Sequence, residues 1–300
     1  MISSIEQRIK RFVNWEEADL PNIERRPLAW VRQLVKRSLF FFRPNALIRY
    51  RPVISYLKAT GAEKILEVGS GSIGITRFLR QEVTGVDLDF AGPRTSYLRP
   101  TKGSAASLPF DNNTFDSAIS LDVLEHVPKP EREQMIAEMI RVSKESVIIA
   151  APCGEAPAAW ETRLRDTIDR RISRWANQEK KKAILFRSDF LKDHQSKGLP
   201  SYQEVLQAFE DLAAKSAVPM RITAIDNEPC WLWYILALGS IRISNFFWIL
   251  TTVVGTILMP IITRIKFGDP YRKIFIIEKC KLDGADETSA AGCGIRGQES

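Results

Sequence analysis

The sequence predicts an α/β protein built on a doubly wound, mostly parallel sheet of seven strands, with an apolar helical insertion between the last two. Three observations lead there. Short apolar runs bounded by turn residues alternate with amphipathic stretches, the pattern of strands joined by crossover helices on both faces of a sheet. A glycine-rich turn, Gly69-Ser-Gly-Ser-Ile-Gly74, follows the first of those runs. Asp87 then closes the next run, 18 residues after Gly69.

At 300 residues the chain can bury a full core, and it divides into one catalytic-size domain with embellishments. Residues 1–60 form an N-terminal basic and amphipathic region, 61–153 the first half of the sheet, and 154–200 a basic helical insertion. Residues 201–280 complete the sheet, and 281–300 read as a disordered tail. The net charge of +7 points to an anionic partner. That charge is uneven, because Arg25 to Lys58 holds nine Lys/Arg and no acid. The four cysteines (Cys153, Cys230, Cys280, Cys293) show no Cys-x-x-Cys pair and no ligand spacing, so reduced thiols and no metal are expected. The first twelve residues contain no apolar run, so no secretory signal is expected, and it is the reduced cysteines that suggest a cytosolic setting.

In order, the basic stretch from Arg25 to Tyr56 carries Phe40, Phe41 and Phe42 between Arg37 and Arg43. Three readings stand: an anionic membrane interface that takes rings and cations together, a helix packing its apolar side on the sheet, or a nucleic-acid surface, against which the aromatics are clumped rather than interleaved. Lys64 to Val68 reads as a buried strand, with a helix beginning near Ile75 after the glycines. Glycines suit such a turn because they tolerate positive φ and let backbone N–H groups approach a ligand. Glu82 to Val86 is a second strand delivering Asp87, whose carboxylate can take both hydroxyls of a ribose. Further strands follow at Leu98 to Lys102, Phe115 to Leu121 and Ser146 to Ala150, with an amphipathic helix over Glu131 to Val142. The insertion from Gly154 to Arg187 is rich in Arg and Lys (Arg163, Arg165, Arg170) and reads either as a lid meeting an anionic acceptor or as a solvated helical face. Ser201 caps a helix reaching about Lys215, and strands at Arg221 to Ile225 and Arg272 to Glu278 close the sheet.

Between those last strands lies Trp231 to Ile262, whose only charge is Arg242. Its second part, Phe246 to Ile262, is long enough for most of a bilayer crossing at about 1.5 Å per residue. Two strands of one sheet cannot lie on opposite sides of a membrane. The segment is therefore expected to return as a re-entrant hairpin broken near Gly239 to Asn245, or to lie in the interface, on the cytoplasmic face. Buried helices in an enlarged core, or a dimer contact, are the competing reading.

The runs LEVGSGSIG, VTGVD, LPFDNNTFDSAISLDVLEHV and SVIIAAP together resemble the class I S-adenosylmethionine (SAM)-dependent methyltransferases, and within them the small-molecule and lipid-modifying type 11 group. A glycine turn with an acid about 20 residues on also occurs in nicotinamide dehydrogenases; Glu67 before the glycines and the LPF…FD…LEHV block separate the two. The resemblance implies a Rossmann-like methyltransferase fold and SAM as cofactor. It places Glu67, Gly69, Ser70 and Gly71 at the methionine end, Asp87 on the ribose, and Leu88 beside the adenine. Ser104 stands where the group usually has an acid for the adenine amino group, with Ala105 offering backbone. Leu121 and Asp122 correspond to the mouth where donor and acceptor meet.

For catalysis, His126 just past the fourth strand is the first candidate base, His194 in a loop closing over the same mouth the second, and Asp122 a residue orienting either. Each histidine is equally readable as a hydrogen-bonded structural residue. The expected partners are a membrane lipid or lipid-linked acceptor and an anionic membrane surface, without nucleic acid, since no aromatic RNA platform is present. The functional readings are a membrane-associated methyltransferase, a non-catalytic SAM-binding scaffold, and a minor RNA methyltransferase alternative.

Overall fold

The computed structural model describes residues 44–92, 94–172, 178–216, 218–240, 267–280 and 295–297. The phenylalanines at 40–42 and the apolar run 246–262 lie outside them. Helix α1 (Pro44–Thr60) leads into strand β1 (Ile65–Val68), β2 (Val83–Asp87), β3 (Leu98–Lys102) and β4 (Phe115–Leu121). Helix α2 (Lys129–Val142) runs straight into β5 (Ser143–Pro152), which is longer at both ends than its apolar stretch suggests. Helices α3 (Glu155–Ile172), α4 (Gln178–Lys197) and α5 (Tyr202–Lys215) precede β6 (Met220–Pro229). Helix α6 (Cys230–Ser240) and β7 (Pro270–Lys279) follow, then a short β8 (Ile295–Gly297).

The sheet order is β3-β2-β1-β4-β5-β7-β6-β8. Strands β1 to β5 are parallel, and β7 runs antiparallel between β5 and β6. These seven strands are the predicted ones. The eighth corrects the expectation of a disordered tail at Ile295–Gly297, which pairs in parallel with β6. A second correction concerns Cys280, which is disulfide-bonded, whereas Cys153 and Cys230 are free buried thiols.

Burial follows the two faces of the sheet. On one, α2 and α5 cover Leu66, Val68, Val147, Ile149 and Phe275 with Met135, Met139, Val205 and Phe209. On the other, Tyr50, Val53 and Leu57 of α1 meet Ile65, Val83, Ile119 and Ile148. From Pro44 onward, then, the basic stretch is the helix that packs on the sheet. Helix α5 begins with a full capping box in which the Ser201 hydroxyl accepts from Glu204 N–H and the Glu204 side chain takes the Ser201 N–H. Helices α3, α4 and α6 form a separate layer with Tyr271, burying Leu164, Ile168, Leu191, Trp233 and Ala237. The start of the apolar insertion is thus packed against protein, and its Leu232 and Trp233 are buried. Among the described residues no helix is long and apolar enough to cross a membrane.

Candidate active site

The first half of the site is built by backbone. The helix expected after the glycines is a single 3-10 turn, Gly74–Arg77, because only five residues separate it from β2. Its N–H groups are met by side chains rather than presented freely. Glu67 Oε2 accepts from Ile75 N–H at 2.7 Å and Oε1 from the Tyr50 hydroxyl at 3.0 Å. Burial pushes the Glu67 carboxyl up to about 7, against the pull of those two donors. Asp87 Oδ2 accepts from Gly71 N–H at 2.8 Å, while Oδ1 makes only a long contact of 3.4 Å with Asp89 N–H.

Two glycines here are required for different reasons. Gly69 (φ +76) lies against Val123, whose Cγ2 would stand 2.1 Å from an added Cβ. Gly71 (φ +53) has nothing within 4 Å of that position, so it borders open space. Leu88, just past Asp87, is 69% exposed beside the same opening. Ser70 is buried with its hydroxyl turned back to Gly71 O. Ser104 is exposed and its hydroxyl accepts from Ala106 N–H, next to half-buried Ala105, and Leu121 is buried under the crevice. Open space at Gly71, next to the Asp87 carboxylate and the exposed Leu88 that follows it, fits a nucleoside cofactor.

The second half is built by long-range charge. Asp122, in the left-handed region (φ 55) directly after β4, accepts from Arg272 at 2.5 and 2.7 Å and from Arg49 at 2.8 Å. Burial works to raise its pKa, but the two guanidinium groups hold it well below the usual carboxylate range. Arg272 also donates to buried Glu228 at 2.9 Å. Asp122 therefore anchors arginines instead of orienting a histidine, which corrects the sequence expectation.

The histidines take other partners. The 3-10 turn Leu124–His126 carries His126, whose Nδ1 lies 2.9 Å from Asp193 Oδ2. His194 sits in the last turn of α4 rather than in a loop, and is buried with Nδ1 2.9 Å from Glu161 Oε1. The Tyr271 hydroxyl donates to the same Glu161 oxygen at 2.7 Å. The two imidazoles meet, Nε2 to Nε2, at 3.2 Å. Burial lowers the His126 pKa; for His194 burial also pulls down, but Glu161 prevails and the net direction is up. Glu125, directly before His126 and 1% exposed, keeps Oε2 without a hydrogen-bond partner, and burial raises its carboxyl to about 8.

Sequence reasoning passed over Glu125, Glu161, Asp193, Arg49 and Arg272. Glu125 alone had a local signal, its place in the quoted LEHV block. Of the basic insertion, Arg163 lies over the Trp160 and Tyr234 rings and Arg165 donates to Gln195, so both are engaged within the protein.

Residues 66–151 match the family model of the type 11 methyltransferase domain. That stretch, under a third of the chain, is the part that resembles a methyltransferase domain. The chain is 29% identical over 106 residues to a 24-methylenesterol C-methyltransferase of Arabidopsis thaliana, covering 30% of this chain and 29% of that one. It is 30% identical over 165 residues to the phthiotriol/phenolphthiotriol dimycocerosates methyltransferase of Mycobacterium tuberculosis, covering 47% of this chain and 58% of the relative. The chain thus spans between about a third and three fifths of these relatives' lengths. Among solved structures, the magnesium protoporphyrin IX methyltransferase of Synechocystis PCC 6803 aligns over 80% of this chain and 85% of that one, at 12% identity and a TM-score of 0.44.

Proposed function

We propose that this protein is a SAM-dependent methyltransferase that works at a membrane surface and methylates a lipid-linked or amphipathic acceptor. The observation that carries the donor half is the open cradle at Gly71, flanked by Asp87 and backed by buried Glu67. Glu67, Gly69, Gly71, Asp87 and Leu88 would hold the cofactor. Bound there, SAM supplies a methyl group on a sulfonium that is its own leaving group. The task left to this chain is to align an acceptor atom with that methyl in line and to exclude water, which positioning alone accelerates greatly. Two features support the acceptor class. The relatives above are, by their names, a methyltransferase of 24-methylenesterol and one of phthiotriol/phenolphthiotriol dimycocerosates. The run 246–262 is apolar in sequence, and an enzyme held at a bilayer meets lipid acceptors at high effective concentration.

A SAM-binding scaffold without catalysis is the second reading. It is favoured by the engagement of Asp122 with two arginines and of each histidine with a carboxylate, which leaves none of these three candidates as an isolated base.

Asp87→Ala should weaken SAM binding by about 10- to 100-fold in calorimetry while the protein stays folded, the loss of hydrogen bonds to a charged group. Unchanged affinity would remove Asp87 from the site. Incubating purified protein with methyl-labelled SAM and membrane extract then separates the readings. Label in the lipid fraction supports the proposal, label in nucleic acid assigns an RNA acceptor, and SAM binding without any transfer leaves the scaffold.

A further inference from the structure

We infer that Glu125, His126 and His194 form a binding site for a divalent transition-metal ion at the carboxyl end of β4. One ligand atom from each residue lies within 4.8 Å of the others. The assignment departs from the cysteine-based expectation of no metal, because the donors are imidazoles and a carboxylate brought together from two separate elements.

The hydrogen bonds decide which ring atoms are offered. In each imidazole Nδ1 faces a carboxylate oxygen at 2.9 Å, Asp193 for His126 and Glu161 for His194. A carboxylate accepts, so Nδ1 carries the proton and Nε2 keeps its lone pair. The two Nε2 atoms then confront each other at 3.2 Å in a site where His194 is only 7% exposed. Facing lone pairs repel, and a cation between them converts that repulsion into coordination. With metal–nitrogen bonds of about 2.0–2.1 Å, this separation corresponds to an N–metal–N angle of about 100–105°, close to tetrahedral.

A single extra proton shared by the two rings would also explain their approach. It would not explain Glu125, whose Oε2 is buried beside them and has no hydrogen-bond partner. A metal gives that oxygen its partner. Asp193 and Glu161 are the outer carboxylates that orient metal-bound histidines, and Glu161 is itself fixed by Tyr271. Two imidazoles and one carboxylate suit zinc, iron(II), cobalt(II) or manganese rather than calcium or magnesium. Three protein ligands leave at least one coordination position open, as in sites that bind a reactant. The Val123 side chain connects the two halves, since it lies against Gly69 while its neighbours in sequence carry the metal ligands.

The test uses the full chain, stripped with chelator and titrated with cobalt(II). We expect about one equivalent bound, visible absorption bands of low-symmetry coordination, and displacement of those bands by zinc. His126→Asn should abolish the bands. Glu125→Gln should weaken cobalt at least tenfold, and Asp193→Asn, which leaves all three ligands in place, by about 10- to 100-fold. Circular dichroism confirms folding of each variant, and His126 and Asp193, both partly exposed, keep the test available if a change at buried His194 prevents folding. Binding that is equal in wild type and in the Glu125→Gln/His126→Asn double variant, or absent in wild type, overturns the site and leaves the shared proton. SAM calorimetry on the same samples reports the donor crevice separately, so failure of one does not imply failure of the other.

Discussion

The glycine crevice and the charged mouth lie at the carboxyl ends of adjacent strands β1 and β4 and approach through Gly69 and Val123, yet different physics builds them. In the crevice, Glu67 and Asp87 hold backbone N–H groups no more than 16 positions away. In the mouth, Asp122 binds Arg49 and Arg272, 73 and 150 positions distant, and His126 meets His194 across 68. A turn that closes on its neighbours forms wherever its sequence occurs. A cluster of buried charges forms only once the whole sheet is in register, and it is correspondingly sensitive to losing any member.

The largest effect expected from this contrast is at Arg272. Its guanidinium is 1% exposed and compensates both Asp122 and Glu228, so Arg272→Ala leaves two carboxylates without their main cation. Urea unfolding should show a loss of about 3–5 kcal/mol. A change below about 1 kcal/mol would mean the mouth tolerates unpaired charge and the contrast fails.

The crevice responds to pH through Glu67. Its folded pKa of about 7 exceeds the ordinary 4.5, so the folded protein keeps a proton that the unfolded chain releases earlier. Stability from this group is full below pH 4.5 and lost as pH rises through 7, by about 3–4 kcal/mol. Denaturant midpoints measured from pH 4.5 to 8 should fall in wild type relative to Glu67→Gln. Parallel curves would show that the carboxyl is not held in this way.

The last comparison sets the two glycines side by side. Both need left-handed backbone, a cost of about 1–2 kcal/mol for alanine. Gly69→Ala adds a collision with Val123, worth a further 1–3 kcal/mol or about that, and should unfold more readily than Gly71→Ala. Gly71→Ala should instead lose SAM affinity, because its methyl fills the cradle. Equal affinities for SAM in the two variants would place the cofactor elsewhere.

Most strands were readable as short apolar runs ended by turn residues, Phe115–Leu121 among them, whereas Leu98–Lys102 (LRPTK) is mostly exposed and follows the Gly92-Pro93 loop. The 3-10 turn after Gly74 was misread as a helix because the short span to Val83, not propensity, limits it. His194 was placed in a loop because Gly198 and Pro200 follow closely, yet α4 continues to Lys197 before Gly198 turns the chain in positive φ. The apolar character of Trp231 to Ser240 marked something to be buried without saying by what; α3 and Tyr271 supply part of the answer.

By itself the sequence determined the parallel strands, the glycine bend and the acid that closes β2, because those features depend on neighbours along the chain. The tertiary structure decided which acid meets which arginine and which face each imidazole presents. The pairing of Pro152 with Arg272 across β5 and β7 brings that guanidinium to Asp122, and α4 brings His194 to His126. Charge and ring orientation obey distance in space, and no local pattern in the chain records it.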